Sequence, residues 1–234
     1  MSITKTEAFV LKSIRYGETS KIVTLFTKDF GKISAIVKGA RNNKSRLCGT
    51  METMNYINVI LYYKQNRELQ LISNAEYNNS FKNILTDFDR LQSGYKIIEV
   101  INKSTIQNES NELIFDLLIN IYSALNNATG NFLYFVLYFQ IELVKILGLS
   151  PDFSELIDAK ETFYDNNEFY LNESSLRNLK QISDNGIKDL ECLEIKKDSL
   201  ERLINSYEKY ISLHTHGYRF YNSTKVFQEL NQFV

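Results

Sequence analysis

Near the start of the chain, Ala8 and Val10 alternate with Phe9 and Leu11, which predicts a strand over residues 6–12 with apolar groups on both faces. Tyr16-Gly17-Glu18 reads as a turn, and Lys21–Thr27 as a second strand with Ile22, Thr24 and Phe26 on one side and Val23 and Leu25 on the other. Asp29-Phe30-Gly31 leads into a third, in which Ile33, Ala35 and Val37 alternate with Lys32, Ser34, Ile36 and Lys38. Tyr56–Tyr63 is a long β-branched and aromatic run, and Leu69–Ala75 a shorter one, with polar Lys64–Glu68 between them. Five strands in about eighty residues suit a small closed barrel. The OB-fold is the commonest such barrel that handles nucleic acid; an SH3-like barrel fits the strand count equally.

From Ile84 the hydrophobic period lengthens, with Ile84, Phe88, Leu91, Tyr95 and Ile98 recurring at helical spacing. Asp87 and Asp89 fall in the first turn, where they favour the helix dipole. A second helix is predicted near Glu112–Asn126 on the stripe Leu113, Leu117, Ile121 and Leu125, and a third over Phe132–Leu147, stopped by Gly148 and Pro151. Phe163-Tyr164-Asp165 and Glu168-Phe169-Tyr170-Leu171 flank Asn166-Asn167 as a small hairpin near 162–171; helices follow at Glu173–Ser183, Lys197–Leu213 and Thr224–Phe233. The expected architecture is α+β, with a five-stranded barrel over residues 1–80 and a mainly helical domain over 81–234.

The neutral overall balance of 27 basic and 28 acidic residues hides an asymmetry. Residues 1–80 hold twelve Lys or Arg against six acids, a net of +6, which leaves fifteen against twenty-two, or −7, for the rest. A basic half of this kind points to nucleic acid or a membrane surface. Its sharpest feature is a loop after the third strand: Gly39 frees the backbone, and Lys38, Arg41, Lys44 and Arg46 place four cations in nine residues with no acid among them. With Lys32, Lys12, Arg15 and Lys21 as neighbours on the barrel, these are the expected phosphate contacts. Tyr16, Tyr56, Tyr62 and Tyr63 are candidates for stacking on unpaired bases.

Catalytic motifs are lacking. Gly39–Ser45 misses a Walker loop by one residue and by its second glycine, and no HExxH or GxSxG occurs. The only histidines, His214 and His216, have no nearby cysteine, and Cys48 and Cys192 stand far apart, the pattern of a cytosolic chain without disulfides or structural zinc. No charged-then-apolar signal opens the chain, and the most apolar run, Phe132–Leu149, contains Gln140, Glu142 and Lys145 and so reads as a bundle helix rather than a membrane span. The expectation is a cytoplasmic, non-enzymatic nucleic-acid-binding protein without cofactor.

The segments Glu7–Lys12, Tyr16–Thr27, Gly31-Lys32, Val37–Arg41 and Lys44–Leu47, with Leu147–Pro151 and the closing Gly217–Ser223, resemble the bacterial recombination mediator family RecO. The resemblance is dense at the N-terminus and mainly one of helical pattern between about residues 80 and 210. It implies an N-terminal OB-fold, a helical C-terminal domain, binding to single- and double-stranded DNA, strand annealing, and work with RecR, often RecF, to load RecA onto DNA coated by single-strand-binding protein (SSB), whose C-terminal tail the helical domain would hold. It also implies a cytoplasmic, nucleoid-associated location. Many members carry a four-cysteine zinc site just after the Leu-Gly-Leu-x-Pro segment, where this chain has Asp152–Lys160 and no ligand; apolar packing is expected to replace the metal there. An RNA-binding accessory factor on the same barrel is the alternative, distinguishable by affinity that depends on the 2′-hydroxyl.

Overall fold

The computed structural model describes residues 2–42, 45–65, 67–158, 163–165 and 169–215. Lys44, Asn166, Asn167, Glu168, His216, the Gly217–Ser223 segment and the helix expected at Thr224–Phe233 lie outside the described residues.

Five strands close the N-terminal barrel: β1 (Ser2–Tyr16), β2 (Ser20–Thr27), β3 (Gly31–Val37), β4 (Tyr56–Tyr63) and β5 (Leu69–Asn79), in the order β1-β2-β3-β5-β4. All neighbours are antiparallel except β3 and β5. A short helix, α1 (Leu47–Thr50), interrupts the crossover from β3 to β4, for which the sequence predicts only a loop. This order is that of an OB-fold and removes the SH3-like alternative. Closure depends on the length of β1, which pairs with β4 through Ser2–Phe9 and with β2 through Ala8–Tyr16, so one strand serves both sides of the seam. The core is built from the inward set Ala8, Val10, Val23, Leu25, Ile33, Ala35, Val37, Ile57, Val59, Leu61 and Ile72, closed by Met51 beyond α1.

The alternation in β1 does not run through. A bulge between Val10 and Lys12 inserts Leu11, so the inward positions change from Ala8 and Val10 to Ser13 and Arg15. Lys12, Ile14 and Tyr16 thereby face outward, opposite Thr24, Ile22 and Ser20.

Residues 105–115 cluster with the barrel rather than with the helices, so the first compact unit is residues 1–81 together with 105–115 and the sequence boundary at 80 misses this segment. It runs along the start of β3, where Asn108 N–H donates to the Lys32 carbonyl at 2.9 Å and Lys28 pairs with Glu112 at 3.2 Å. Phe115 then completes an aromatic cluster with Phe9, Phe26, Tyr56 and Phe81. Helical periodicity cannot reveal this docking, because its signal is one ring, Phe115, whose partners Phe9, Phe26 and Tyr56 lie far away in sequence.

The second unit comprises residues 82–104 and 116–234. Its helices are α2 (Lys82–Thr86), α3 (Phe88–Ser104), the later turns of α4 (Glu112–Asn127), α5 (Leu133–Ile146), α6 (Phe153–Asp158), α7 (Glu173–Asp184) and α8 (Lys197–His214). The periodic run from Ile84 is two helices, not one, because the Asp87 carboxylate accepts the Arg90 N–H at 2.9 Å and starts α3 afresh. The expected hairpin is present as β6 (Phe163–Asp165) and β7 (Phe169–Leu171). Where zinc ligands would stand in the resembling family, Asp152 caps α6 by accepting from Ser154 and Glu155 N–H, and Phe153 is buried. Among the described residues, no helix is long and apolar enough to cross a membrane.

Candidate nucleic-acid interface

Strand register fixes what the outer face of β1–β2–β3 presents. Beyond the bulge its rows read Lys12–Thr24–Ser34 and Ile14–Ile22–Ile36, with Tyr16 opposite Ser20, and Lys38 stands in the turn that leaves β3. Lysines, hydroxyls and half-exposed aliphatics occupy this face, and no outward position of it among the described residues is an acid. The other side of the barrel differs, with Glu7 opposite Asn58 and Glu76, and Lys5 paired with Glu76 at 3.9 Å.

The predicted cations separate into groups. Lys12 is exposed on the outer face and Lys38 in the turn after β3. Lys32 shares the face but lies at the end where residues 105–115 pass; it is half-buried, and burial lowers its pKa. Arg15, Lys21 and Arg41 gather elsewhere, at the barrel end, because the bulge turns Arg15 inward with its register partner Lys21. Lys21 is only 9% exposed and bonds Glu52 at 2.5 Å. Arg41 is not a freely swinging arm: its N–H donates to the Thr19 carbonyl at 2.9 Å and its guanidinium to the Gly17 carbonyl at 2.6 Å. Arg46 is exposed at the start of α1.

The tyrosines divide as sharply. Tyr56 is buried, stacked on Phe9 at 4.8 Å with its hydroxyl on the Glu7 carboxylate, and Tyr63 stacks on Phe30 at 4.1 Å. Tyr62 points outward on the far side beside Ile3 and Leu71, so of the four only Tyr16, 52% exposed, borders the basic face. Sequence reading missed Ser13, Cys48 and Glu52, which line the groove of Arg15, Lys21 and Arg41. No signal short of the bulge position could have brought Ser13 there. Among the described residues, no three His, Cys, Asp or Glu side chains gather as a metal site.

In the helical unit a groove of about 520 Å³ is walled by Leu117, Ala124, Phe135, Tyr138 and Ile187, with Lys188 and Glu191 also lining it. Burial pushes the Glu191 pKa up, but hydrogen bonds from Thr129 N–H, Gly130 N–H and the Thr129 hydroxyl, with the charge of Arg90, outweigh it and hold the carboxyl below its usual range.

A closed five-stranded barrel in this order, with a cationic face free of acids, places the N-terminal unit among OB-folds. Residues 1–81 match the family described as Recombination protein O N terminal, and residues 85–220 the one described as Recombination protein O C terminal. The chain belongs to the RecO family. It is 36% identical over 159 residues to the DNA repair protein RecO of Chlorobium limicola, which covers 68% of this chain and 61% of that one. To the protein of the same name from Chloroherpeton thalassium it is 34% identical over 155 residues (66% and 60%), and to that of Salinibacter ruber 36% over 150 (64% and 58%). The matches thus span about three fifths of the relatives' own length.

Proposed function

We propose that this chain is a non-catalytic DNA-binding factor of recombinational repair that acts in the nucleoid. It holds single- and double-stranded DNA by the phosphates, anneals strands and, with RecR and RecF, helps load RecA onto SSB-coated DNA. The observation that carries the reading is the outer face of β1–β2–β3 beyond the β1 bulge, free of acids among the described residues, with Lys12 beside its aliphatic rows and Lys38 exposed in the turn after β3. Contacts of this kind fix position on the backbone and carry no base information, which suits a factor that must act on any sequence. Aliphatic rather than aromatic rows also favour phosphate over base-stacking as the main source of affinity. The apolar part of the SSB tail has a counterpart in the groove of the helical unit, whose charged lining residues are Lys188 and Glu191. The fold is proposed to need no transition metal: Phe153 is buried and Asp152 caps α6 where the family resemblance would place zinc ligands, which supports packing in place of a metal.

The test is fluorescence anisotropy with single-stranded DNA, single-stranded RNA and duplex DNA across several salt concentrations. Binding to both DNA forms, independent of sequence, supports the reading, whereas affinity that requires the 2′-hydroxyl would make it an RNA-binding factor. Replacing Lys12, Lys38 and Arg46 by Ala should flatten the slope of log affinity against log salt by about two to three, at roughly 0.7 to 0.9 per lost phosphate contact. An unchanged slope would remove the outer face from the interface.

A further inference from the structure

The groove at the barrel end, about 380 Å³ and lined by Ser13, Arg15, Lys21, Arg41 and Glu52, differs in character from the outer face. We infer that it seats a phosphate monoester at the terminus of a nucleic-acid strand, an inference that rests on the DNA-binding reading above. Charge is the first reason. Three cations and one carboxylate give the groove a net +2. A phosphate monoester carries about −1.5 to −2 at neutral pH, whereas an internal phosphodiester carries a single charge. A terminal phosphate neutralises the groove and an internal one leaves a positive charge uncompensated.

The second reason is donor supply. Ser13 Oγ is buried with no hydrogen-bond partner among the described residues, although a buried hydroxyl left unpaired costs about 1–3 kcal/mol. Arg41 commits part of its fork to the Gly17 carbonyl and retains further N–H donors in a plane suited to phosphate oxygens. Lys21 is buried and held by its ion pair with Glu52, a preorganised cation rather than a swinging one. Size and place agree. Ligand sites begin at about 300 Å³, so the groove is scaled to one nucleotide rather than a run of strand. Arg15 and Lys21 are register partners beside the Tyr16–Ser20 pair that ends the outer face, so a strand lying on that face delivers its end here.

The test uses the full chain and single-stranded oligonucleotides of one sequence, internally labelled, with a 5′-phosphate, a 3′-phosphate or hydroxyls at both ends. One phosphorylated form should bind about tenfold more tightly than the hydroxyl form, as expected for a charge-assisted hydrogen bond. Ser13→Ala should cut that ratio several-fold without changing affinity for the hydroxyl form, and Glu52→Gln, which takes the groove to +3, should raise it. Equal affinity for all three oligonucleotides would overturn the inference while leaving DNA binding intact; failure of all three to bind would overturn both. Displacement by a nucleoside 5′-monophosphate as tight as the phosphorylated strand would reassign the groove to free nucleotides and overturn the strand-end assignment.

Discussion

Single residues carry much of the specification. Gly31 sits at φ +63°, a left-handed backbone that favours glycine, and a Cβ there would run into the Glu109 backbone carbonyl. Gly31→Ala is expected to lower stability by at least about 2 kcal/mol in chemical denaturation, combining backbone strain with a steric overlap that no side-chain rotation relieves. Glu208 makes a different demand. Burial raises its pKa; Lys96 and Lys103 pull it down and Glu99 pushes it up, and the net shift is upward. Below the ordinary carboxylate range both states are protonated and its contribution is full; as pH rises through the folded value, the unfolded state has already released its proton, so stability is lost. The denaturation midpoint should therefore fall from pH 5 to pH 8, and Glu208→Gln should remove that part of the fall. A midpoint drop as large in the variant would clear Glu208 of the effect.

Elements are joined by devices that periodicity does not register. Phe115 is fully buried at the start of α4 and packs its ring against Phe9, Phe26 and Tyr56 of the barrel unit. Phe115→Ala should cost about 3–5 kcal/mol by analogy with other buried rings, read as a lowered melting temperature, and should loosen residues 105–115 in hydrogen exchange. In the helical unit, Arg90 donates to the Asn126 and Ala128 carbonyls at 3.0 and 2.8 Å, which closes the C-terminal end of α4, and lies 4.8 Å over Phe132. Arg90→Ala should destabilise by about 1–3 kcal/mol through orphaned carbonyls, and Arg90→Lys should recover only part because one ammonium cannot reproduce the fork. Arg41 also changes an expectation at this scale. A basic surface loop ordinarily adds little to stability, but Arg41 ties this one to the β1–β2 turn, so Arg41→Ala should cost about 1 kcal/mol.

For the whole molecule, the proposal that the fold needs no metal predicts that dialysis against chelator leaves the melting temperature and DNA affinity unchanged; a drop in either, with zinc found by elemental analysis, would overturn it. The sequence by itself determined the five strands and most of the long helices, where the period changes, and which side of β3 faces a core, though not the short helices α1 and α6 or the break between α2 and α3. Those features follow from local alternation and from side-chain hydrophobicity, both written in neighbouring residues. It also located the basic N-terminal half and the loop at Lys38–Arg46, because charge is a property of composition. Tertiary structure alone decided how those charges are used. One inserted residue at Leu11 reverses inside and outside for the rest of β1, sending Lys12 to the face and Arg15 to the groove. Glu52, thirty-one positions away, holds Lys21, and the Gly17 carbonyl holds Arg41, while residues 105–115 cross the end of the face beside Lys32. Each of these rests on a contact between segments distant in sequence, whose energy depends on register and closure of the barrel rather than on any local pattern.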